Sequence, residues 1–251
     1  MNNWLFLAPI GMIVVGLGFI FYWLRLHKTK FIIFAWGGLL WFIAISLKAL
    51  MDGTVTKPLI EFINSLTPAL MLLIVSVIIG LRTGFFESGI SYLMLKGRVS
   101  KFKLSDSVGL GIGFGAFEAI SLGLLTLISM SLLASPEFIA SLSEEQKAIV
   151  EAQLNMSSLT IFAPWIERFF TIIAHIFATV LVIKSIQLKD KRFLWLSIGY
   201  KALLDTPVPY FQILIASDPL TMSYVVELYV IAIGVLGFYG LNWLKTKTAK
   251  S

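Results

Sequence analysis

"GLGIGFGAFEAI", residues 109–120, sets a glycine at every second position from 109 to 115 and then places a glutamate, Glu118, within an apolar run. A carboxylate there has little water to face. On a helix turning about 100° per residue, Glu118 shares a face with Gly111 and lies near Phe114 and Gly115. Gly109-x-x-x-Gly113 and Gly111-x-x-x-Gly115 are both close-packing motifs that let a neighbouring helix approach the backbone. Glu118 is therefore expected to point into a tight helix contact and not into lipid. The same stretch contains G-x-G-x-x-A, a dinucleotide fingerprint, but no strand precedes it and the run is membrane-like, so that reading is discarded.

The surrounding sequence explains the setting. Of 251 residues 58% are hydrophobic and 14% charged, and mean hydropathy is +0.89. Soluble domains carry about a quarter charged residues, so this is a membrane composition. Seven apolar stretches reach the ~20 residues of a helical crossing, at 4–24, 31–51, 66–95, 105–134, 158–187, 193–216 and 220–244. The expectation is an all-α, polytopic bundle of seven transmembrane helices forming a single transmembrane domain over 1–251. The opening "MNNWLFLAPIG" has no basic n-region and its apolar run is long, so the first stretch reads as a span and not a cleaved signal.

Loop charge orients the chain. Arg25, Lys28 and Lys30; Lys96, Arg98, Lys101 and Lys103; Lys184, Lys189, Lys191 and Arg192; and Lys245, Lys247 and Lys250 all follow odd-numbered spans. The opposite side has only Lys57 and Lys147 among many acids. This asymmetry predicts the N-terminus outside and the C-terminus inside a cell membrane. The +6 net charge is then a rim facing anionic lipid, with no nucleic-acid partner implied. Cysteine is absent, which removes thiol catalysis and cysteine metal sites. The outer loop 135–157 reads as a polar cap with a short helix starting at Ser143.

Ionisable residues inside the spans form the candidate site. The bases are Lys48, Arg82, Arg168 and Lys201, the acids Glu87, Glu118, Glu167, Asp205 and Glu227, and the one intramembrane histidine is His175. Each costs several kcal/mol near the bilayer centre unless paired, hydrated or neutralised, so they are expected to converge on an interior polar site. Arg168 and His175 share a helix face, and Glu167, Thr171 and His175 form a drifting row. Lys201 and Asp205 are four apart and can pair along one face. Pro207 and Pro209 deprive the carbonyls of Leu203 and Asp205 of helical partners, which suits backbone that lines a cavity or is buried in protein.

The order "GFFES…Y" (84–92), "GLGIGFGAFEA" (109–119), "ER…H" (167–175) and "K-x-x-x-D" (201–205) resembles the YhfC family. Its members are glutamic-type intramembrane proteases, distantly similar to CAAX prenyl proteases and to the seven-helix scaffold subunit of gamma-secretase. The resemblance implies hydrolysis of transmembrane, membrane-proximal or lipidated peptides by a glutamate-activated water. It places Glu118, His175, Glu87 and Asp205 in the catalytic set, with Glu167, Arg168 and Lys201 as electrostatic or oxyanion support. It also implies an acidic pair followed by an arginine, where this chain has Glu87, Ser88 and Ser91. A histidine of the glycine run appears as Phe114, and one opening the span-six motif appears as Lys201. No metal and no other cofactor is expected: one intramembrane histidine argues against a multi-histidine site, and a mixed His/carboxylate site stays open as the alternative. Two other readings stay open: a catalytically degraded scaffold or substrate-binding protein, and a small transporter built on the proline-broken sixth span.

Overall fold

The computed structural model describes residues 2–248; Lys250, counted above in the basic rim, lies outside the described residues. All regular structure among them is helical. The α-helices are α1 (Leu7–His27), α2 (Phe31–Met51), α3 (Lys57–Ile63), α4 (Pro68–Thr83), α5 (Ile90–Leu95), α6 (Leu104–Leu133), α7 (Pro136–Ser141), α8 (Glu144–Leu154), α9 (Phe162–Leu188), α10 (Lys191–Asp205), α11 (Val208–Ser217) and α12 (Pro219–Thr248).

Among the described residues, six helical segments are long and apolar enough to cross a membrane: Asn3–His27, Phe31–Ile63, Pro68–Leu95, Leu104–Leu133, Ser158–Leu188 and Pro219–Lys245. The expected sixth span, 193–216, is not one helix. It divides at Thr206–Pro207 into α10 and α11, of fifteen and ten residues, each shorter than a crossing. Pro207 lacks the N–H that would continue the α10 ladder, and its ring clashes with the preceding turn. The carbonyl of Leu203, freed as the sequence implied, accepts from Tyr229 Oη at 2.5 Å. One helical segment also runs longer than expected, because the π-turn Asp52–Thr56 joins α2 to α3; the π-turn Gly84–Gly89 joins α4 to α5 within the length expected of the third span.

α9 is the axis of the bundle, with residues 174–183 buried without a break. Such a helix needs apolar surface on every side, and "AHIFATVLVI" supplies it. α6 lies against it, buried continuously from Ser107 to Ala116. The alternating glycines serve two contacts at once. A Cβ on Gly113 would stand 2.2 Å from the Phe34 carbonyl oxygen of α2, and one on Gly111 would stand 2.6 Å from Ile176 Cα of α9. One glycine pair thus admits α2 and the other α9, so the backbones meet where side chains would hold them apart. Outward faces carry apolar side chains such as Leu17, Phe21, Leu73, Leu125 and Leu228, a surface that lipid can wet.

The polar cap at 135–157 follows its sequence signal. Ser143 Oγ accepts from Gln146 N (3.3 Å) and Gln146 Oε1 from Ser143 N (3.0 Å), a capping box that starts α8. Asn2 Nδ2 donates to the Met156 carbonyl and Ser158 Oγ, both at 2.9 Å, so the N-terminus and the start of α9 share one end of the bundle.

The close approach at α6 predicts an asymmetry between glycines. Gly111→Ala should cost at least ~1–3 kcal/mol through overpacking. Gly18→Ala, with nothing within 4 Å of the added carbon, should stay within about 1 kcal/mol of the parent. Thermal unfolding in detergent measures both, and equal losses would contradict this account of the glycine run.

Candidate functional site

Glu87 sits in the π-turn Gly84–Gly89 and is 4% exposed. The wide turn carries it into the space between α2, α9 and α10. Its Oε1 accepts from Lys48 Nζ of α2 at 2.7 Å, and its Oε2 accepts from Lys201 Nζ of α10 at 2.6 Å. The Lys201 ammonium also contacts His175 Nδ1 on α9, and it lies 5.1 Å from the centre of the Phe114 ring. Phe114 in turn stacks on the imidazole of His175, with centroids 4.8 Å apart.

The other imidazole nitrogen continues the chain of contacts. His175 Nε2 is 3.0 Å from Glu118 Oε2, and Arg168 Nη1 donates to Glu118 Oε1 at 2.7 Å. The second guanidinium nitrogen, Nη2, pairs with Glu167. Lys48, Glu87, Lys201, His175, Glu118, Arg168 and Glu167 therefore form one ladder across five helical segments. Glu118 projects inward from α6 as its glycine face required, with its side chain 17% exposed. Buried carboxylates persist in this form because each has a cation or imidazole partner.

A cavity of about 200 Å³ opens beside the ladder, with Glu118, Glu167, Arg168, His175, Asp205 and Glu227 in its walls. Water held there needs polar partners, and these side chains supply them. A larger groove of about 490 Å³ between α1 and α9 is lined by Val15, Gly18, Phe19, Tyr22 and Phe169. It offers no acid or base, so the chemistry belongs to the smaller cavity.

All seven residues to which the family resemblance gives a role lie in the ladder or on its cavity, but one expected pairing does not form. Lys201 and Asp205 make no ion pair. Lys201 turns to Glu87, while Asp205 Oδ2 accepts from Thr83 Oγ1 at 2.6 Å. The reason is the π-turn, which brings a carboxylate from another segment to the ammonium and leaves Asp205 on the cavity side. Ser88, standing where a second acid was expected, bonds Ser197 Oγ at 2.8 Å, and Ser197 donates to the Ala178 carbonyl at 2.9 Å. That serine pair ties the turn to α10 and α9.

Lys48 and Glu227, counted from the sequence among the converging charges but given no role there, belong to the site. Lys48 anchors one end of the ladder; its signal was a solitary charge in an otherwise apolar α2. Glu227 of α12 is 6% exposed, and its Oε2 has no hydrogen-bond partner. It was visible as an intramembrane acid, but nothing in the sequence placed α12 beside α9. Arg82, by contrast, leaves the site: its Nη1 pairs with Asp52 at the π-turn after α2.

Metal donors are short. A hydrolytic zinc site uses three protein ligands with neutral imidazole or carboxylate donors. Here both nitrogens of His175 and both oxygens of Glu87 already face partners, two of them ammonium groups. No cluster of three or more metal-ligating side chains occurs among the described residues. The donor set as built does not fit a divalent ion.

No curated protein and no solved structure matches this chain. A family model described as YhfC intramembrane metalloprotease matches residues 11–230, a range that contains the whole ladder and its cavity. By that match the chain belongs to the YhfC intramembrane metalloprotease family.

Proposed function

We propose that this chain hydrolyses a peptide bond in a transmembrane or membrane-proximal segment, using a water activated by Glu118, which His175 positions. The observation that carries this reading is the Glu118–His175 contact, 3.0 Å, in the wall of a polar cavity inside an apolar bundle. Glu118 accepts a proton from the water as the water oxygen bonds to the carbonyl carbon. The developing oxyanion falls to Arg168, whose Nε–H has no partner and whose charge favours it. The proton then returns from Glu118 to the amide nitrogen as the C–N bond breaks, leaving an acid and an amine. His175 positions Glu118 throughout, and Asp205 stands across the cavity as a polar wall.

A second reading, binding without turnover, is favoured by one feature. Both oxygens of Glu118 and both oxygens of Glu87 are already engaged, which suits a charge lock better than a free base. The chain would then hold a membrane peptide without cutting it. Glu118→Gln separates the two readings. Arg168 keeps Glu167 in that variant, so the protein stays folded. Cleavage of a transmembrane peptide library by the parent, lost by at least ~100-fold in Glu118→Gln, supports hydrolysis. Unaltered cleavage in the variant removes Glu118 from the reaction, and no cleavage by the parent leaves the binding reading.

We further propose that α10 and α11 together make a seventh crossing of the cell membrane, with the N-terminus outside and the C-terminus inside. Tyr224, near the start of α12, donates to the carbonyl of Leu159, in the turn just before α9 (2.5 Å). Those two helices therefore begin at the same end, and the chain between them returns across the bundle. Residues 191–217 are long enough to do so. The absence of cysteine makes single-cysteine labelling clean. Ser141→Cys and Ser217→Cys should react with an impermeant thiol reagent in intact cells, and Ser100→Cys should not; protection of Ser217→Cys together with Ser100→Cys would refute the seventh crossing.

A further inference from the structure

Lys201 is 3% exposed, and its ammonium stands where a carboxylate oxygen and an imidazole nitrogen converge. Glu87 Oε2 lies 2.6 Å away, His175 Nδ1 is in direct contact, and the Phe114 ring presents a face at 5.1 Å. A bound divalent ion would draw on the same two atoms at ~2.0–2.2 Å. Ammonium and metal cannot share them, because two cations would then lie within a few ångströms of each other in an apolar interior. Lys48 occupies the remaining oxygen of Glu87, and Glu118 faces the remaining nitrogen of His175. The only intramembrane imidazole is thus committed on both sides.

We infer that the Lys201 ammonium is a tethered cation filling the place of a metal, so that this family member assembles and holds its site without one. It draws Glu87 and His175 together from α4–α5 and α9, the clamping that a shared ion gives elsewhere. A lysine carries its cation on its own side chain, with three donors for oxygen and nitrogen acceptors, and is insensitive to metal supply. Lys201 is a positioning residue here. The inference stands apart from the hydrolysis reading, since its readouts are metal content and stability, and each can fail without the other.

The test uses the full chain in detergent as parent, Lys201→His and Lys201→Met, each equilibrated with Zn²⁺ or Co²⁺ and then freed of excess. The parent should retain no stoichiometric metal, and its unfolding temperature should be unmoved by Zn²⁺ or by EDTA. Lys201→Met should unfold at a lower temperature with and without metal, because Glu87 and His175 lose their shared partner. Lys201→His replaces the ammonium with a neutral donor beside His175 and Glu87. It should gain close to one metal per chain, show the visible absorption of low-symmetry Co²⁺, and unfold at a higher temperature with Zn²⁺ than with EDTA. Adding His175→Ala should abolish that gain. Stoichiometric metal in the parent, lost with His175→Ala, would overturn the inference, as would a folded Lys201→His chain that binds none. If Lys201→His does not fold, the parent's metal content and its response to EDTA decide alone.

Discussion

Glu87 must be neutralised inside an apolar bundle, and much of the architecture follows from how that is done. Its two oxygens recruit ammonium groups from α2 and α10, and the second ammonium brings His175 of α9. Removing one partner from a buried pair typically costs ~3–5 kcal/mol, because the other charge is left uncompensated. Helices joined by short loops and facing lipid have few other means of fixing their mutual rotation. The charge ladder supplies it, and the glycines of α6 supply the close approach that lets side chains of ordinary length reach across. Packing and electrostatics are the same constraint here: α6 close to α9 puts Glu118 within reach of both Arg168 and His175.

Much of this was legible in the sequence because it depends on local spacing. The alternating glycines at 109–115, the inward aim of Glu118, the shared face of Arg168 and His175, and the Ser143 cap all follow from helix periodicity. The inventory of intramembrane charges contained every member of the ladder. What spacing could not reveal was which charge meets which. Lys201 and Asp205 are ideally placed on one helix, yet the ammonium chooses Glu87, a residue 114 positions away in sequence. That choice depends on a π-turn, and no residue type announces one. The break at Pro207 was visible, but its result, two short helices in place of one long span, depends on Tyr229 taking up the freed carbonyl.

The family match and the side-chain geometry speak to different levels of the molecule. Membership follows from a resemblance running over most of the chain, and a helical membrane bundle follows with it. Chemistry depends on a few atoms, and those atoms differ from a metal-hydrolase donor set. Phe114 and Lys201 interact with each other and with His175 through a ring stack and a cation–π contact. They read as a matched pair, since an aromatic face beside an ammonium is favourable.

The π-turn at Gly84–Gly89 also governs which changes in chain length the protein can survive. A π-turn is a helix carrying one residue more than its neighbours need, so deleting a residue there would leave a more regular helix. The wide turn already absorbs the extra residue, so α5 would keep its facing against α4 and the change would fall on the turn itself. Glu87, which the wide turn carries into the interior, would lose the position from which it meets Lys48 and Lys201. The segment is thus one where the locally better helix is the globally worse protein. Insertions and deletions in this lineage should be found in the polar cap 135–157 and not in 84–89.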